Sequence, residues 1–110
     1  MEHSNNHKLL KIYLSEDSRY KGHNLYHALV FKLKEIGIAG VTIYRGLEGY
    51  GLSKAIHTTR ILELSGSLPI IVEIVDTSEN IEKAIPIVEE MVNEGLIFVT
   101  DVSVIKCGKR

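Results

Sequence analysis

The sequence predicts an α+β fold, a four-stranded antiparallel sheet with two helices on one face, and three observations carry that expectation. A strand–helix–strand pattern is written twice along the chain. The two helix exits resemble each other, Gly37-Ile-Ala-Gly-Val-Thr42 against Gly95-Leu-Ile-Phe-Val-Thr100. Each helical segment carries one apolar stripe, which suits packing onto a single sheet face. Two such units interleave as a split βαβ, or ferredoxin-like, sandwich.

The elements follow in order. Residues 1–7 are polar and read as a flexible tail. Lys8 to Leu14 alternates imperfectly, with Leu10, Ile12 and Leu14 on one face of a strand. Ser15 to Asn24 reads as polar loop, and Asn24 is placed to cap a helix from Leu25 to Ile36. Leu25, Leu29, Leu33 and Ile36 share one stripe, and Gly37 is a natural left-handed stop. Val41 to Arg45 is the second strand. A glycine-rich stretch from Gly46 to Gly51 opens a long irregular loop over about 46–67. Leu68 to Val75 is rich in β-branched residues and is the strongest strand in the chain. Asp76 and Glu79 have capping-box spacing at the start of the second helix. That helix, ending near Asn93, presents Ile81, Ala84, Ile85, Val88, Met91 and Val92 on one face. Pro86 falls on its polar side, where the lost donor costs least. Leu96 to Lys106 returns as the last strand, and 108–110 form a short C-terminal tail. The domain proper is 8–107.

Composition narrows the class. At 110 residues the chain has room for one domain, and 45% hydrophobic residues supply its core. Thirteen basic and fourteen acidic residues leave a net charge of −1, which gives no sign of a nucleic-acid partner. No apolar run approaches the ~20 residues of a membrane span. The lone Cys107 cannot form an internal disulfide, which fits a reducing, cytoplasmic setting. The open sheet face should carry Lys11, Tyr13, Thr42, Tyr44, Ile71, Glu73 and Val75. So apolar a face calls for a covering partner, and self-association is the simplest source.

The densest chemistry lies between Arg45 and Arg60. Gly46, Gly49 and Gly51 are spaced G-x-x-G-x-G beside Arg45, Tyr50, Lys54, His57 and Arg60. Closely spaced glycines let backbone N–H groups turn toward an anion, and the cations supply charge. The same glycines equally build a hairpin tip or a partner-binding loop. The order matches neither a P-loop nor a Rossmann turn. His23 and His27 stand four apart, as two metal ligands or as two solvated side chains. Glu63, Glu73 and Asp76 are the available carboxylates, but no spacing sets any of them against His57. Glu73 is expected to pair with Lys11 across the sheet. With no nucleophile–base–orienter set visible, the residues read as non-enzymatic. Lys106, Lys109 and Arg110 are too few for a nucleic-acid surface but suffice to meet a phosphate.

Several motifs in one order carry a family resemblance: Gly37-Ile-Ala-Gly-Val-Thr-Ile-Tyr-Arg-Gly46, Gly49-Tyr-Gly51, His57-Thr58, Leu68-Pro-Ile-Ile-Val-Glu-Ile-Val-Asp76 and Asp101-Val-Ser-Val-Ile-Lys106. From about Lys8 to Cys107 the chain resembles the P-II-like family called domain of unknown function 190. That resemblance implies a homotrimer, a T-loop after the second strand, and an adenine nucleotide bound in clefts between subunits. It also implies signalling through the loop to a membrane transporter or enzyme. The ligand-binding positions it suggests are Arg45, Gly46, Gly49, Gly51, His57 and Arg60, with Lys106 from the last strand. Three departures from P-II proteins shape the expected ligand. Glu48 stands where they carry lysine, their glycine-rich phosphate loop is shortened to Asn93-Glu94-Gly95, and the tyrosine that many of them modify falls near Ile61. AMP or ADP is therefore expected in preference to ATP. A ligand-independent docking module is the alternative. A small metal-binding protein is the third reading, from a similarity to the copper-tolerance family.

Overall fold

The computed structural model describes residues 4–49, 57–58 and 68–108. The chain runs β1 (Ser4–Ser15), β2 (Arg19–Tyr20), β3 (His23–Asn24), α1 (Leu25–Glu35), β4 (Thr42–Arg45), β5 (Glu48–Gly49), β6 (His57–Thr58), β7 (Pro69–Thr77), α2 (Ser78–Met91) and β8 (Leu96–Val104). Four of these strands form one antiparallel sheet in the order β4-β7-β1-β8. That is the expected split βαβ order. Leu10, Ile12, Leu14, Ile70, Val72 and Ile74 alternate onto one face and are buried there. Leu25, Leu29 and Leu33 of α1 close over them with Ile81, Ala84, Val88 and Met91 of α2.

Several local details differ from the sequence expectation, each for a physical reason. β1 begins at Ser4, inside the segment read as tail, because backbone pairing with β8 (Ser4↔Val104, His7↔Val102, with a register shift between) requires no apolar side chains. The segment read as loop before α1 holds the β2–β3 hairpin, whose turn residues Lys21 and Gly22 both have positive φ, 50° and 84°. Asn24 is the N-cap residue of α1 but makes no side-chain cap bond. Its Oδ1 instead accepts from Arg19 Nη1 at 3.1 Å. The α2 cap moves one residue on, to Thr77, whose Oγ1 accepts from the Asn80 N–H at 3.2 Å.

Asp76 is thereby released for a longer-range task. Its Oδ2 accepts from the Ala39 N–H at 3.0 Å, while Oδ1 accepts from the Thr77 N–H at 2.7 Å and Asn80 Nδ2 at 3.0 Å. One carboxylate so joins the end of β7, the first turn of α2 and the loop after α1. Gly37 takes the left-handed conformation expected of it, at φ 96°. Pro86 lies on the exposed side of α2, which continues through it to Met91.

The other sheet face is open. Register places Tyr44, Ile71, Tyr13 and Leu96 in one row across it, and Thr42, Glu73, Lys11 and Phe98 in the next. Ile71 is only 7% exposed, flanked in its row by the two tyrosines, whereas Val75 is 46% exposed. The Tyr13 and Phe98 rings stack with centroids 6.2 Å apart. The expected Lys11–Glu73 pair forms, at 3.2 Å. Among the described residues, no helix is long and apolar enough to cross a membrane.

Candidate functional site

Three chain segments converge at one end of the main sheet, and backbone bonds lock them together. The Glu16 N–H, just past β1, donates to the Leu68 carbonyl at 2.9 Å. The Gly46 N–H, just past β4, donates to the Pro69 carbonyl at 2.8 Å. β7 therefore starts between the two exits, and Arg45 and Glu16 reach each other across it. Gly46 is required for this closeness, since a Cβ there would meet Pro69 Cγ at 2.9 Å. Gly95 does the same for the turn before β8, where a Cβ would stand 2.6 Å from the Tyr13 carbonyl oxygen.

Among the described residues, an ion pair joins two corners of this end. Arg45 Nη2 bonds Glu16 Oε2. The arginine side chain is 53% exposed and the glutamate 18%. Glu16 Oε1 is buried and has no hydrogen-bond partner among the described residues. Arg45 thus has its charge partly compensated while about half of its side chain stays in solvent. Glu48, exposed in β5, adds a second carboxylate close by in sequence.

The expected ligand residues fall into three groups. Arg45 and Gly46 meet at the sheet end. Gly49 and His57 are brought opposite each other in the β5–β6 ladder, so the base of the segment read as irregular is a paired hairpin. Gly51 and Arg60 lie outside the described residues, as does most of the expected 46–67 loop. Lys106 belongs to the far end of the molecule, two residues beyond β8, whose Val104 pairs with Ser4. The span from there to Leu14, beside the Arg45 end, is roughly 30 Å at ~3.3 Å per strand residue. A site using both Arg45 and Lys106 must draw on two copies of the chain.

Glu16 was absent from the sequence expectation. The signal available was topological: in a split βαβ sheet the exits of the first and second strands lie at the same end, so Glu16 and Arg45 occupy equivalent corners. The histidine pair divides between elements, with His23 in β3 and His27 on α1 beside the Tyr26 ring, 4.6 Å between centroids. No three metal-ligating side chains cluster among the described residues. Cys107 is exposed. A broad groove of about 670 Å³ lies elsewhere, between the β2–β3 hairpin and the helices, lined by Tyr20, Lys21, His23, Phe31, Lys32 and Glu90 among others.

Comparison with known proteins agrees with this architecture. The DUF190 family model, described as Uncharacterized ACR, matches residues 7–104. A UPF0166 protein of Methanocaldococcus jannaschii is 42% identical over 100 residues, covering 90% of this chain and 92% of that protein. A UPF0166 protein of Aquifex aeolicus is 40% identical over 98 residues, 89% and 92% of the two chains. Among solved structures, a protein of Thermus thermophilus described as PII-like and signalling superposes with a TM-score of 0.68 at 21% identity, over 96% and 94% of the chains. A nitrogen regulatory PII-like protein from Thiomonas intermedia K12, bound to ADP, AMP and bicarbonate, gives a TM-score of 0.61 at 21% identity, over 91% and 89%. The fold is that of PII-like proteins.

Proposed function

This chain belongs to the DUF190 family, and from that premise we propose that it is a non-enzymatic, PII-like regulatory protein that binds an adenine nucleotide. AMP and ADP are its preferred ligands over ATP, held in clefts between the subunits of a homotrimer. The 46–67 segment carries the signal to a transporter or enzyme. The observation that supports this reading best is the Arg45–Gly46 corner, where a half-exposed guanidinium stands at the base of that segment in a fold shared with nucleotide-bound PII-like proteins. Arg45, Gly46, Gly49, Gly51, His57 and Arg60 contribute from one subunit. Lys106 contributes from a neighbour, since one chain holds it at the opposite end. The open face, with Tyr13, Tyr44, Val75 and Phe98 exposed, is the surface the subunits bury.

The test is thermal unfolding with each nucleotide in turn. A ligand present at 100 times its dissociation constant adds about 2.7 kcal/mol of stability. Stabilisation by AMP or ADP is the expected result, and unchanged melting with every adenine nucleotide would remove the ligand from the reading. The rival, a ligand-independent docking module, draws on Leu47, which is 76% exposed at the start of the loop segment. It predicts unchanged melting together with binding to a target protein.

A further inference from the structure

The geometry points to Glu16 as the residue that sets how much phosphate charge the Arg45 corner accepts. This inference rests on the nucleotide-binding reading above and names the control within it. Glu16 is held in place by its own backbone, through the 2.9 Å bond from its N–H to the Leu68 carbonyl. Its side chain is mostly buried, with Oε2 on Arg45 Nη2 and Oε1 enclosed without a hydrogen-bond partner among the described residues. The more exposed member of the pair is the arginine, more than half of which is in solvent.

Two consequences follow for an incoming phosphate. Glu16 does not swing away at low cost, because a largely buried carboxylate separated from Arg45, its cationic partner among the described residues, is left uncompensated. A phosphate therefore shares Arg45 with Glu16, using guanidinium N–H groups other than the one Glu16 holds. The Arg45–Glu16 pair carries no net charge, so at this corner the first phosphate gains hydrogen bonds but little Coulomb attraction. Each further phosphate adds about one negative charge near a fixed carboxylate, with Glu48 repelling in the same sense. Glu16 is thus a specificity-determining residue that keeps the site to ligands of low phosphate charge. A purely structural Glu16 that only orients Arg45 would affect all phosphate esters alike.

The ATP-to-AMP affinity ratio separates the two roles. Isothermal titration of AMP, ADP and ATP is compared between the wild-type chain and Glu16→Gln, which keeps the side-chain shape and the backbone bond to Leu68. The expected result is a shift of the ATP:AMP ratio toward ATP by roughly tenfold, smaller at high salt. Should Glu16→Gln not melt cooperatively, Glu16→Ser is read in the same way. An unchanged ratio, or equal weakening of all three nucleotides, overturns the role of Glu16 while leaving nucleotide binding standing. Absence of nucleotide binding in both wild type and variant overturns Glu16 and the functional reading together. Binding that emerges only in the variant supports Glu16 as the barrier.

Discussion

Lys11 Nζ stands 3.2 Å from Glu73 Oε2 in the middle of the open sheet face, and the Tyr44 hydroxyl donates to the same carboxylate oxygen at 3.0 Å. Lys11 also lies 5.8 Å from the Tyr13 ring centroid, so one cation is held by residues of three strands. The Glu73 carboxylate, then the Tyr44 hydroxyl, raise the Lys11 pKa above its ordinary 10.5. A raised folded-state pKa means that the stabilisation is present in full below 10.5 and is lost as pH climbs through the folded value. Melting temperature against pH should therefore fall more steeply on the alkaline side for wild type than for Lys11→Met. Parallel alkaline limbs would show that the pair contributes nothing to folding.

The same face carries the assembly prediction. Phe98 at the end of the Lys11–Glu73 row and Val75 in the row beyond it are exposed, and a second copy gives them cover. Sedimentation should report about three times 12.3 kDa for wild type. Val75→Lys should reduce the mass to that of a single chain. A wild-type protein that stays monomeric at high concentration would exclude the intersubunit cleft and, with it, the role of Lys106.

Asp76 makes a second pH-dependent contribution, opposite in sign. Burial disfavours its charged form, but hydrogen bonds from the Ala39 N–H, the Asn80 side chain and the Thr77 N–H outweigh that and hold its pKa below 3.8. The stabilisation is present above 3.8 and is lost as pH falls through the lower, folded value. Asp76→Ala should destabilise at neutral pH by about 1–3 kcal/mol, since it strands donors at the end of β7 and in the loop after α1. The loss should narrow as the wild type is acidified. Equal losses at neutral and acidic pH would show that the charge itself is not what matters.

Much of this was legible before the structure because it depends on period. Alternation in Leu10, Ile12 and Leu14 and the stripe in α2 each identify a core face, and the interleaved topology then opposes Lys11 to Glu73. What escaped the reading depends on backbone or on distance. Ser4 and His7 join β1 through ladder bonds that leave no mark in side-chain pattern. The cap falls to Thr77, while Asp76 accepts from Ala39, 37 residues away in the chain. Glu16 and Arg45 are 29 residues apart, and only closure of the sheet joins them.

Gly95 tests the close approach at the turn before β8. A Cβ there would stand 2.6 Å from the Tyr13 carbonyl oxygen and 3.0 Å from Val92 Cγ1. The first contact is backbone and cannot rotate away. Gly95→Ala should therefore cost about 1–3 kcal/mol in denaturant unfolding, as overpacked sites do. Gly22→Ala offers a contrast: its Cβ would meet nothing within 4 Å, and its penalty comes only from φ 84°. The two variants separate steric from conformational cost.

The last prediction concerns Arg45 itself. If its free N–H groups hold phosphate oxygens, Arg45→Ala should weaken AMP and ADP binding by about 1–3 kcal/mol, the usual size for charge-assisted hydrogen bonds. Arg60→Ala should weaken it by the same or less. The Arg45 variant also leaves the Glu16 carboxylate without its cation, so it should melt earlier than wild type, and titrations belong well below its melting point. Arg45→Lys keeps the charge but loses the planar fork, and should bind with intermediate affinity. Glu48→Lys places a cation where a carboxylate now repels, and should favour ATP over AMP relative to wild type. Titration of three nucleotides against these four variants reads all of it. An Arg45 that served only as a solvated partner of Glu16 would leave nucleotide affinity within about 0.5 kcal/mol of wild type while still lowering the melting temperature. That outcome would remove Arg45 from the ligand site and leave the Glu16–Arg45 pair as a brace for the end of the sheet.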